Sequence, residues 1–354
     1  MENELSKLIE AVPCPLPGTA REAKRRWDSI AKPLGSLGLL EDALIRVSAV
    51  CGTADLALKP RKLLVFCADN GVVAEGVSQC GSEVTAAVTT ALGAGRSTVN
   101  PMAALADCRV QAVDVGVRDY PGAANVWNCR VQNGTGNIAR EPAMSRENCL
   151  RAILTGAELA KREAAEGTRL LLVGEMGIGN TTTAAAVTAV LLGLDPAAVT
   201  GRGAGLSDAG LARKQAVVRQ AITVNRPDPD DPIDVLTKVG GLDLAAMCGA
   251  YLGAASVRLP VLIDGCISAA AALCACRLCP RAGEAMLASH LSAEPMGEQL
   301  LKALRLSPLL CAGLRLGEGG GAVCALPLLD QALAVYRSGQ SFERLGIEAY
   351  TPQE

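Results

Sequence analysis

Four short runs of Val, Leu and Ile recur along the chain, and each stops at a carboxylate close to a glycine. They are KLLVFCADNG, ending at Asp69; VQAVDVGV, holding Asp114; TRLLLVGEMG, ending at Glu175; and LPVLIDG, ending at Asp264. Apolar runs this short and continuous predict strands buried on both faces. Longer Ala-rich stretches separate them, SEVTAAVTTALGAG and NTTTAAAVTAVLLG among them, and these predict helices. Strand alternating with helix predicts an α/β fold with a parallel sheet, helices on both faces and right-handed crossovers. Ligands of such sheets bind beyond the carboxyl ends of the strands, where the four acids are expected to gather.

The two ends of the chain differ from this middle. Residues 1–50 and 292–345 show helical patterns without strand runs, and are expected to pair into a small helical domain that closes over a large α/β domain spanning 51–291. The stretch NRPDPDDPIDVLTKVGG is too rich in Pro and Asp for an element interior, so it predicts a surface loop leading into a helix at Pro232 or Ile233. In LRLGEGGGA one acid, Glu318, sits among Gly317, Gly319, Gly320 and Gly321, ahead of a helix expected to start near Ala325. Glycine costs roughly 0.5–1 kcal/mol relative to alanine in regular structure, so such a run marks a tight turn or a backbone that something must approach closely.

Half of the 354 residues are hydrophobic and only 2% aromatic, so the interior must be built from Ala, Val, Leu and Ile. With 34 basic against 36 acidic residues and no block of like charge, neither a nucleic-acid nor a membrane surface is expected, and the partner is a small molecule. The start, MENELSKLIEAV, lacks the apolar core of a secretion signal, which points to the cytoplasm and makes the 14 cysteines buried small hydrophobes rather than a disulfide framework. Cys274, Cys276 and Cys279 form C-x-C-x2-C, but with no second pair and no His nearby no metal site is expected. The single histidine, His290, is expected to be a hydrogen-bonded structural residue.

Two glycine turns carry candidate chemistry. VGEMGIGNTTTAAAV predicts strand, turn, helix: Gly177 and Gly179 let the backbone turn, Asn180 or Thr181 caps the helix, and its free N–H groups suit an anion. The spacing matches neither the ATP-binding nor the dinucleotide-binding glycine motif, which leaves a monophosphate and weakens an oxidoreductase reading. In TGRGAGLSDAGLARKQ, Gly201, Gly203 and Gly205 flank Arg202, a guanidinium suited to phosphate, and Ser207 or Asp208 can cap a helix. NGTGNIAR adds Thr135, Asn137 and Arg140, polar groups able to hold a ribose or phosphate.

Taken in order, KPLGSLGLLE, ADNGVVAEGVS with SEVT, GTGNIAREPAM, GEMGIGNTTTAAA, TGRGAGLSDAGLARK, GGLDLAAMCGAYLGAA, VLIDGCISAAAAL, ASHLSAEP and RLGEGGGA resemble the nicotinate-nucleotide–dimethylbenzimidazole phosphoribosyltransferases. The resemblance runs from about residue 32 to about residue 330. It implies a Rossmann-like α/β domain, a small helical domain built from both chain ends, and a homodimer. It also implies phosphoribosyl transfer from nicotinate mononucleotide to 5,6-dimethylbenzimidazole for cobamide lower-ligand assembly, with no cofactor and no metal, because the pyridinium is a built-in leaving group. Glu318 would be the general base that takes the acceptor's proton, and Glu175 a second catalytic, charge-stabilising acid.

The same resemblance assigns phosphate and ribose to the stretches 175–181 and 200–205, with Gly177, Gly179, Asn180, Thr181, Gly201, Arg202 and Gly203 as the residues concerned and Asp264 beside them. The acceptor pocket would be lined by the stretch from Ala74 to Ser82, with Asp69, Asn70, Met176 and Leu316 beside it. The chain departs from the family pattern at Asn70, where a histidine is usual, at Cys80, Gly81 and Ser82, where bulkier residues are usual, and at Met296 in SAEPMGEQ. Those changes leave a purine or phenolic acceptor, or a non-catalytic subunit in a heterodimer with an active paralogue, as alternatives.

Overall fold

The computed structural model describes residues 1–351. Six strands, β1 (Arg61–Ala68), β2 (Arg109–Gly116), β3 (Val126–Asn128), β4 (Leu170–Met176), β5 (Val261–Ile263) and β6 (Met286–Ala288), form one sheet in the order β3-β2-β1-β4-β5-β6. Every pairing is parallel. The four expected strands are β1, β2, β4 and β5; the two edges, β3 (VWN) and β6 (MLA), sit in no run of Val, Leu and Ile.

Side chains of a strand alternate between faces, so β1 feeds two layers at once. Leu64, Phe66 and Ala68 join one apolar cluster, and Leu63, Val65 and Cys67 the other. The first cluster is covered by Arg146–Ala165, Asn180–Leu192, Leu242–Ser256 and Cys266–Leu278, the second by Leu39–Cys51 and Gly320–Arg337. The chain ends are shared between the layers. Pro17–Ser29 meets the last long helix, where the rings of Trp27 and Tyr336 lie 5.1 Å apart and the Tyr336 hydroxyl donates to the Ala54 carbonyl at 2.9 Å. Leu5 and Leu8 of Glu2–Glu10, and Met296 and Leu300 of Met296–Leu304, belong to the opposite cluster.

Chain order runs outward from β1 to β3 and then returns to β4, so the strand order reverses between β1 and β4. In an open parallel sheet the helices at such a point diverge and leave a crevice at the carboxyl ends. Two local expectations change. The helix expected near Ala325 starts at Gly320, inside the glycine run. The helix Asn180–Leu192 has Gly179 at its N-cap and no side-chain cap, because Asn180 and Thr181 bond elsewhere. Pro232–Val239 and Asp208–Asn225 start as expected, capped by Asp231 and Ser207. Among the described residues no helix is long and apolar enough to cross a membrane.

The tightest packing of the core joins Arg146–Ala165 to Leu242–Ser256 through glycines. A Cβ on Gly249 would stand 1.7 Å from the Ile153 carbonyl oxygen, and one on Gly156 1.8 Å from that of Ala246. Backbone cannot yield as a side chain can. Gly249→Ala is therefore expected to destabilise the fold by about 2–3 kcal/mol, measured as a lowered midpoint in thermal or urea unfolding; an unchanged midpoint would show that the two helices can separate freely.

Candidate active site

The crevice beyond β1, β4 and β5 is a cleft walled by five stretches of chain. The turn after β4 supplies Glu175–Thr181, the loop 202–206 stands opposite Val77–Gln79, Asp264–Ser268 follows β5, and Arg315–Glu318 closes one side.

Glu318 owes its place to an unusual turn. Gly317, Glu318 and Gly319 have φ of +82°, +57° and +82°, three successive residues in the left-handed region that only glycine enters freely. Glu318 is held there because its N–H donates to the Glu175 carbonyl at 3.2 Å, and because Gly319 packs where a Cβ would lie 2.4 Å from Leu63 Cδ1. One face of the Glu318 carboxylate accepts the Val99 N–H at 3.2 Å, at the start of the helix Val99–Leu105. The half-buried side chain also lines the cleft. Gly321 admits the His290 ring, which would meet a Cβ at 2.1 Å.

Behind Glu318 lies a group of buried acids. Asn180 Nδ2 donates to Glu175 Oε2 and, at 3.1 Å, to Asp243 Oδ2. Burial pushes the Glu175 carboxyl up to about 8, with Asp243, Asp264 and Glu318 adding to the push and the Asn180 hydrogen bond opposing it. Asp243 is raised to about 6, again by burial first. Asp264 accepts the Ala322 N–H at 2.9 Å; burial raises its carboxyl while it lowers the neighbouring His290 imidazole, so both tend toward neutrality. Burial thus favours the protonated form of Glu175 in the free cleft.

The same cleft holds a lysine, whose ammonium pKa burial lowers and Glu294 partly restores. Lys214, 1% exposed, donates from Nζ to Thr181 Oγ1 at 2.7 Å. The Gly203 N–H donates to Glu294 Oε1 at 3.1 Å, leaving Glu294 Oε2 buried without a partner. Arg202 lines the cleft but is paired with Asp208 and the Leu206 carbonyl. Gly201 lies behind, against Glu294 and Pro295. Gln79 spans the mouth, its amide donating to the carbonyls of Ala204, at 3.3 Å, and Gly205.

Of the expected acceptor residues, Met176 and Leu316 stand on the cleft wall, but Asp69, Asn70, Ala74 and Ser82 do not. Asp69 accepts the Arg118 N–H at 2.7 Å, and Asn70 is buried beneath Gly177 and Gly179. Ala74 is turned outward on the short 3-10 turn Gly71–Glu75, and Ser82 precedes the helix Glu83–Gly93. Within the expected stretch 74–82 it is the middle, Val77, Ser78 and Gln79, that lines the wall. Asp114 is likewise drawn away, paired with Arg130 at 2.8 Å, so only Glu175 and Asp264 of the four strand-end acids reach the cleft. Thr135, Asn137 and Arg140 brace the 71–75 turn through Gly71 and Glu75.

Sequence reasoning missed Lys214, Asp243, Ser292, Glu294 and Arg315, and placed His290 away from the chemistry although it is both hydrogen-bonded, 2.9 Å from Ser289 Oγ, and on the cleft wall. Lys214 had a signal: with Gly210, Val217, Val218 and Ala221 it falls on the apolar face of Asp208–Asn225, where a lysine needs a reason. The candidate C-x-C-x2-C residues lie in and just after Cys266–Leu278, and all 14 cysteines are free. Among the described residues no group of three or more His, Cys, Asp or Glu is placed to hold a metal.

A family model described as Phosphoribosyltransferase matches residues 12–347. The chain belongs to this phosphoribosyltransferase family. A nicotinate-nucleotide–dimethylbenzimidazole phosphoribosyltransferase of Ruminiclostridium cellulolyticum is 45% identical over 336 residues, covering 95% of this chain and 96% of that one. The enzyme of the same name from Acetivibrio thermocellus is 44% identical over 93% of this chain and 94% of its own. Among solved structures, CobT from Thermus thermophilus is 42% identical with a TM-score of 0.89, over 94% of this chain and all of that one.

A carboxyl that stays protonated when folded but ionises when unfolded leaves the native state holding the extra proton between its ordinary value of 4.5 and about 8. Stability then falls as pH rises through that window, by up to about 1.4 kcal/mol per pH unit. Glu175→Gln removes this titration, so the unfolding midpoint of the variant should gain on that of the parent from about pH 5 to about pH 8. A gap that stays constant with pH would mean Glu175 is ionised throughout.

Proposed function

We propose that the protein transfers the 5-phosphoribosyl group of nicotinate mononucleotide to 5,6-dimethylbenzimidazole, releasing nicotinate and forming an α-linked nucleotide. The observation that carries this reading is the Glu318 carboxylate, presented from a left-handed turn to a cleft that also holds buried acids and a buried lysine. The phosphate lies at Lys214, Thr181 and the amides of the 202–206 loop, where a buried cation and a hydroxyl already meet. The ribose lies between Asp264 and Glu175, whose carboxyls act as hydrogen-bonding groups to its hydroxyls.

An acceptor ring nitrogen attacks C1′ with its lone pair as the bond from C1′ to the pyridinium nitrogen breaks, and that electron pair neutralises the departing ring. The ring N–H proton of the acceptor passes to Glu318, whose ties to Val99 and Glu175 hold it in place while leaving oxygen lone pairs free. Because attack and departure occur on opposite faces, the β-linked substrate gives an α-linked product. Met176 and Leu316 supply the apolar wall for the flat ring. The second subunit of the reading is another copy of this chain.

Incubation with nicotinate mononucleotide and dimethylbenzimidazole, adenine or phenol in parallel should release nicotinate, fastest with dimethylbenzimidazole. Release with none of the three would end the proposal, and preference for adenine or phenol would move the acceptor class. Glu318→Gln should lower kcat by about 10²–10⁴-fold with the unfolding midpoint preserved; near-full activity would remove Glu318 as the base. Lys214→Met should raise the KM for the nucleotide by about tenfold or more while leaving the KM for the acceptor unchanged, and an unmoved nucleotide KM would place the phosphate elsewhere.

A further inference from the structure

The nucleotide in this reading carries one negative group that neither the phosphate subsite nor the acids account for: the carboxylate on the pyridine ring. We propose that Arg315 recognises that carboxylate and selects nicotinate over nicotinamide nucleotides, an inference that rests on the proposed function and names a specificity residue within it.

Three side chains on the cleft wall are permanently cationic or nearly so. Arg202 is paired with Asp208, and Lys214 is buried and bonded to Thr181. Arg315 is exposed, and among the described residues it is the one cleft cation without a hydrogen-bond or ion-pair partner. Its backbone is nevertheless fixed. The Leu314 carbonyl accepts the Ala293 N–H at 3.0 Å, and Glu318 is tied to the Glu175 carbonyl at 3.2 Å, so Arg315 to Gly317 form a short span between two anchors. Glu294 and Glu318 stand on the same wall, so a ring carboxylate needs a cation of its own there. An unpaired guanidinium at a fixed point of the same loop supplies the planar, two-pronged donor a carboxylate fits.

The ring carboxylate keeps its charge throughout the reaction, whereas the ring nitrogen loses its own. Arg315 thus holds substrate and transition state about equally, and its loss should appear in KM rather than kcat. In Arg315→Ala, the KM for nicotinate mononucleotide and the inhibition constant of nicotinate should both rise about tenfold, with kcat within about threefold. Nicotinamide mononucleotide, used as alternative substrate or competitive inhibitor, should change by less than about twofold. Arg315→Lys should recover part of the loss. Equal weakening toward both nucleotides, or unchanged constants, would overturn the assignment. Direct calorimetry of nicotinate binding separates the two levels: a parent protein that binds nicotinate and loses it in Arg315→Ala, yet transfers to no acceptor, would sink the proposed function alone.

Discussion

The structure turns on one backbone contact, between the Glu318 amide and the Glu175 carbonyl. It joins the end of the second central strand to the turn before the last long helix, and it can form only because neither chain has a side chain in the way. A Cβ on Gly174 would lie 2.5 Å from the Gly319 nitrogen. With that contact made, Glu318 is forced into a left-handed conformation that costs a non-glycine residue of order 1 kcal/mol or more, and the surrounding packing holds the strain where the chemistry needs the carboxylate.

The second constraint is electrostatic. Glu175, Asp243 and Asp264 are all nearly or wholly buried at the sheet's carboxyl end. Desolvating three carboxylates together would be prohibitive if all were ionised, and the fold answers by letting some stay protonated and by spanning two of them with the Asn180 amide. Such a group of carboxyls can ionise beside a positively charged ring. Arrival of a pyridinium would favour ionisation of these groups, coupling substrate binding to proton release.

Much of this was legible in the residues. The apolar runs gave the four principal strands because a strand buried on both faces needs continuous Val, Leu and Ile, and Leu63 to Ala68 meets that need almost without interruption. The edge strands escaped because VWN and MLA sit in no run of Val, Leu and Ile, whereas β5, equally short, lies in LPVLIDG. At the site, the glycine-flanked Glu318 and the turn at Gly177–Thr181 were readable since backbone freedom leaves a mark in composition. The stretch 74–82 was readable as a wall, but not which part of it: nothing local shows that the 71–75 turn faces Ala74 outward and brings Val77 to Gln79 to the cleft, while Asp69, Asn70 and Ser82 stay off it. Lys214, Asp243 and Glu294 come from three distant segments, and only folding puts them together.

The turn that carries Glu318 is also the foot of the helix Gly320–Arg337, whose Ala322, Leu326 and Leu329 cover one face of the sheet. The carboxylate therefore has no support of its own, and its position follows wherever that helix docks. Removal of this segment would strip one face of the sheet and one wall of the cleft together.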